Sequence, residues 1–98
     1  MSSMTHYVAI VEEEEGKAVG VWFPDLPGCV SAGDSLDEAM ANAVEALTLW
    51  VDVALEHGQP IPTPRGLVDL KRDPEVSREL SRFMVALIPL RPQLDAAQ

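Results

Sequence analysis

The stretch FPDLPGCVSAGDS, residues 23–35, sets the only cysteine of the chain between two carboxylates, Asp25 and Asp34. A cysteine is a nucleophile only as a thiolate, which needs a base within reach. His6 and His57 are the two histidines available. His6 precedes the first apolar run. His57 closes a long helical pattern that starts near Cys29, and a helix of that length is expected to carry it far from the thiol. Cys29 therefore reads better as a packed small hydrophobe. No two of the three residues have the spacing of zinc ligands. Gly-rich phosphate loops, GxSxG and HExxH are all absent.

The carboxylates are no more promising as a reaction centre. Consecutive glutamates on an extended chain point to alternating sides, which suits a single ion poorly. EEEEGK, residues 12–17, reads instead as an exposed hairpin turn, with Gly16 free to take a positive φ. Asp25 and Asp34 read as turn residues. A metal-dependent nuclease needs several carboxylates converging from separate strands. Here the strand segments offer mainly Val, Ala, Ile and Trp. No catalytic, cofactor-binding or metal-ligating residue is expected.

Binding is the remaining class of function, and charge constrains it. Sixteen acidic against seven basic residues give a net charge of −9 over 98 residues. A phosphate-binding surface depends on Lys and Arg, so direct nucleic-acid binding is disfavoured. A basic partner is favoured, with plain solubility as the bland alternative. Arg65, Lys71 and Arg72 form the only basic cluster and read as a solvated face. One cysteine cannot make an internal disulfide, which suits a reducing cytoplasm. MSSMTHYVAI lacks the basic and apolar regions of a signal peptide, and no apolar run reaches membrane-spanning length.

The elements that would position any binding residues are legible from pattern. YVAIV (7–11) and AVGVWF (18–23) are strands, and Pro24 ends the second. Cys29–Gly33 is a third, short strand. Ser35 and Glu38 have the spacing of a capping box, and apolar residues recur from Leu36 to Ala54 at steps of three and four. Val44, Val51 and Leu55 widen that stripe. Gly58 and Pro60 stop the helix. QPIPTPRG (59–66) is an extended connector. A helical turn at 67–70 and a short polar helix opened by Asp73-Pro74 follow. FMVALIPL (83–90) suits a buried strand, and 91–98 a loose tail.

One α+β domain over residues 1–98 is predicted, with its core at about 6–90. The element order is β-β-β-α-(short α)-β. The four strands are expected in order 3-2-1-4, with the long helix on one face and the last strand parallel to the first. The other face would leave Val8, Ile10 and Trp22 uncovered, an apolar patch that predicts a homo-oligomer, dimer or tetramer, closed there or at a strand edge.

The run GVWFPDLPGCVSAGDSLDEAMANAVEAL, residues 20–47, resembles the HicB-like antitoxin family. The matching features are a strand ending in FPDLPGC, a short strand ending in AGD and a helix opening SLDEA, with QPIPTP and MVALIPL agreeing later. The resemblance spans about residues 6–90. It implies a partial ribonuclease-H-like fold without that enzyme's carboxylate site. It also implies a non-enzymatic chain that masks a small basic HicA-type mRNA-cleaving toxin. Full-length relatives continue into a DNA-binding domain; no basic helix follows Leu90 here, so operator binding is not expected. The acidic rim of Glu13, Glu14, Glu15 and Asp25 is the candidate toxin-facing set. An orphan oligomeric module of the same fold, with an unrelated partner, is the alternative reading.

Overall fold

The computed structural model describes residues 5–91. The strands are β1 (Thr5–Glu12), β2 (Val19–Trp22), β3 (Val30–Gly33) and β4 (Met84–Leu90), and the helices are α1 (Leu36–Glu56), α2 (Leu67–Lys71) and α3 (Pro74–Arg82). One sheet has the order β3-β2-β1-β4. The tail expected over 91–98 lies, beyond Arg91, outside the described residues.

Alternation along β1 splits the interior into two layers. Tyr7, Ala9 and Val11 face α1 and pack with Val21, Phe23, Ala39, Ala43, Leu47 and Val51. Val8 and Ile10 point the other way, onto Leu70 of α2 and Val76 of α3, with Trp22, Leu80, Phe83 and Val85 around them. The expected apolar patch on this second face is therefore closed by the chain itself. Val8 and Ile10 are 4% and 0% exposed, and Trp22 is half-buried.

The last strand departs from expectation. β4 runs antiparallel to β1, with Thr5 opposite Leu90 and Val11 opposite Met84. A single helical crossover would have delivered it parallel. Instead the chain leaves α1 at the end of the sheet where β1 begins. There Tyr7 Oη donates to the Pro62 carbonyl of the connector. α2 and α3 then travel back over the second face, so β4 enters from the opposite end. β4 is also less buried than its composition suggested. It is an outer strand, and Met84 and Leu87 are 45% and 61% exposed. Pro89 fits this position, because an outer strand tolerates a residue without an N–H.

Local signals explain why α1 sits where it does. Ser35 Oγ accepts from the Glu38 N–H at 3.1 Å, and Glu38 Oε1 accepts from the Asp34 N–H at 2.8 Å. The second bond reaches one residue further back than in the usual capping box. At the other end Gly58 has φ +68°, its N–H reaching Leu55 O while that of Gln59 reaches Ala54 O, the paired bonds of a Schellman stop. Gly33 allows α1 to lie directly on β3: a Cβ there would stand 2.5 Å from the Ala39 backbone nitrogen. Asn42 of α1 also donates to the Ala32 carbonyl at 2.8 Å, occupying an acceptor on this outer strand.

Candidate protein-docking site

Cys29 is packed. It is 3% exposed, and burial pushes its thiol up to about 11, so it is protonated at neutral pH. The geometry nevertheless corrects one expectation. α1 runs back antiparallel to β3, so its C-terminal half returns to the end where Cys29 lies; Val53, Ala54 and Gln59 share a groove with Cys29. His57 does not line that groove; its ring is turned back on its own helix, Nδ1 donating to the Val53 carbonyl at 2.8 Å. Among the described residues, no three of His, Cys, Asp or Glu converge as a metal site.

The four candidate acids do not form one rim. Glu13, Glu14 and Glu15 are exposed at the β1–β2 hairpin, where Glu14 lies 3.7 Å from Lys17. Extending the β1–β2 register puts Asp25 near the level of Tyr7, at the opposite end of the sheet. At about 3.3 Å per residue, that is roughly 20 Å away along the strands.

Asp25 is also already engaged. Its side chain is 8% exposed. Oδ2 accepts from the Arg65 backbone N–H at 2.7 Å and Oδ1 from Arg65 Nε at 2.6 Å. Arg65 Nη1 continues to Asp73 Oδ2 at 3.0 Å, while Asp73 Oδ1 caps α3 through the Glu75 N–H. Arg65 is thus a clasp and not part of a solvated basic face. It joins the proline turn, the connector and α3. Its guanidinium, followed by the Glu75 N–H, holds the Asp73 carboxyl below its ordinary value. Tyr7 sits beside the clasp, its phenol raised by burial and then by the Asp25 charge.

An exposed apolar groove was not anticipated. It has a volume of about 650 Å³ and runs between the Pro27–Val30 turn and the Ala46, Leu49, Trp50 and Val53 side of α1. Val30, Leu49 and Val53 are 66%, 64% and 45% exposed. Trp50 is fixed, its Nε1 donating to the Pro27 carbonyl at 3.0 Å. The signal was present in the helix periodicity. Ala39, Ala43, Leu47, Val51 and Ala54 supply the buried stripe; Ala46, Leu49, Trp50 and Val53 form a second stripe beside it, wider than one core face requires.

Beyond Leu49 lies a smaller depression lined by Val44, Glu45, Thr48, Asp52 and Arg91. α1 as a whole carries Asp37, Glu38, Glu45, Asp52 and Glu56, and neither lysine nor arginine. The surface around the groove is therefore apolar at its centre and acidic along the helix. No helix among the described residues is long and apolar enough to cross a membrane.

Comparison with known proteins agrees with this architecture. A Haemophilus phage HP1 protein of 14.9 kDa, from the rep-hol intergenic region, is 38% identical over 72 residues. The match covers 74% of this chain but only 53% of the phage protein, so the chain spans about half of that relative's length. The N-terminal domain of Burkholderia pseudomallei antitoxin HicB superposes with a TM-score of 0.70 at 27% identity, covering 92% of this chain and all of that domain. A chain of the HicA3 and HicB3 toxin-antitoxin complex has the same fold, with a TM-score of 0.70 at 22% identity over 90% of this chain and 100% of its own. The sequence profile described as the HicB-like antitoxin of bacterial toxin-antitoxin systems matches residues 7–95. Matched across nearly its whole length, this chain belongs to the HicB-like antitoxin family.

Proposed function

We propose that this chain is the antitoxin of a toxin-antitoxin pair and neutralises a small basic HicA-type toxin by covering its surface, without chemistry of its own. The family match over residues 7–95 carries the reading. It is supported by the net charge of −9 and by a preformed apolar surface bordered by acids. Glu13, Glu14 and Glu15 are proposed to steer the basic partner at long range; Asp25, committed to Arg65, is left to hold the fold. A reducing cytoplasm is the proposed setting, consistent with the single buried thiol.

Binding of a small basic HicA-type protein, followed by calorimetry in rising salt, tests this. Affinity should fall with ionic strength. Changing Glu13, Glu14 and Glu15 together to glutamine should weaken binding about two- to fivefold at low salt and flatten the salt dependence, as expected of rim charges. A chain that neither binds that protein nor rescues cells from it is not its antitoxin.

Self-association is proposed through the outer edge of β4, where Met84 and Leu87 are exposed. Sedimentation equilibrium should show a species larger than the 10.7 kDa chain at tens of micromolar. Leu87→Lys should shift it to monomer; a wild-type monomer at that concentration refutes the proposal.

A further inference from the structure

We propose that the groove between α1 and the Pro27–Val30 turn receives an amphipathic helix of the basic partner, its apolar face on Leu49, Trp50 and Val53 and its basic flanks along the acids of α1. The inference rests on the antitoxin reading and assigns it a contact surface. Shape favours a helix as occupant. Ala46, Leu49, Trp50 and Val53 recur at i, i+3, i+4 and i+7, a straight ridge of about two turns of the kind that packs against another helix. A strand is poorly served here, because Asn42 already occupies the Ala32 carbonyl on the neighbouring outer strand.

Charge selects the partner. A second copy would bring Glu45, Asp52 and Glu56 against their own equivalents, with no lysine or arginine on α1 and only Arg91, beside Glu45 and Asp52, to offset them. A basic helix meets the same acids with opposite sign. Rigidity makes the surface ready in advance. The Trp50 indole is tied to Pro27, so little side-chain freedom is lost on binding.

The two tryptophans make the test specific. Trp22 does not line the groove; it packs with Val8 and Ile10 on the second face, donates its indole N–H to Glu12 Oε2 at 2.8 Å, and serves as an internal control. When the 15N-labelled chain is titrated with the HicA-type protein of the binding test, the Trp50 indole resonance should move and that of Trp22 should stay. Leu49→Gln combined with Val53→Gln replaces two exposed residues without changing the net charge and should leave the unfolding midpoint unchanged. That variant should bind at least tenfold more weakly, with the salt dependence retained. The hairpin glutamine variant should lose no more than about fivefold. Wild-type affinity in the groove variant, or movement of Trp22 alone, overturns the groove assignment and leaves the antitoxin reading standing. Loss of self-association in place of toxin binding identifies a second copy as occupant and also overturns it. No binding by the wild-type chain removes the antitoxin reading, and this inference with it.

Discussion

Leu70→Ala is expected to cost about 3 kcal/mol of folding stability, which for a chain of this size lowers the thermal midpoint by roughly 15 °C. Leu70 is fully buried in a helix of only five residues, and it covers Val8 and Ile10 of the central strand. Truncating it leaves a cavity beside β1 and removes the main anchor of α2. Urea unfolding followed by tryptophan fluorescence measures the loss. A change below about 1 kcal/mol would mean that α2 is not packed on this face. The groove lies across the sheet, against α1. Affinity for the proposed HicA-type partner, measured well below the midpoint, should therefore be unchanged, which separates a stability defect from a binding defect.

Arg65→Ala is the second large effect, also about 3 kcal/mol, because it leaves the Asp25 carboxylate, 8% exposed, with the residue-65 backbone N–H but without the Nε donor and the guanidinium charge that balances it. Arg65→Lys keeps the charge but loses the forked geometry, and it should recover only part of the loss. The clasp also gives stability an acid dependence. The Asp73 carboxyl is held below its ordinary value in the folded chain. Its contribution is therefore complete above the unfolded carboxylate pKa of about 4 and is lost as pH falls through the lower folded value. Unfolding free energies between pH 7 and pH 2 should fall in that acid window for the wild type and fall less steeply for Arg65→Ala. Parallel profiles would show that the clasp does not couple Asp73 to folding.

Both effects arise where sequence pattern is weakest. α1 was legible because its signals are local and redundant: Ser35 and Glu38 at one end, Gly58 at the other, and an apolar stripe between them. Strand order followed from short connections and apolar central strands. The second face did not, because Leu70, Val76 and Leu80 are sparse among polar neighbours and α2 is a little over one turn long. The direction of β4 failed for the same reason. Counting one crossover helix overlooks the return path that α2 and α3 provide. The Asp25–Arg65 pair is separated by 40 residues, and nothing in either local sequence announces it. For the candidate site, the excess width of the α1 stripe was visible, but not which part of it the core would leave uncovered.

The Asn42–Ala32 bond has a consequence for assembly. The sheet ends in β3 on one side and β4 on the other, and copies could add head to tail only by joining those unlike edges. Such heterologous pairing does not close and leads to a filament. With an acceptor of β3 occupied by Asn42, and β3 only four residues long, that edge offers such a route a short and partly occupied ladder. The proposed pairing of β4 against β4 would instead be an isologous contact around a twofold axis, which joins the two β4 edges and leaves a β3 at each outer end of the combined sheet.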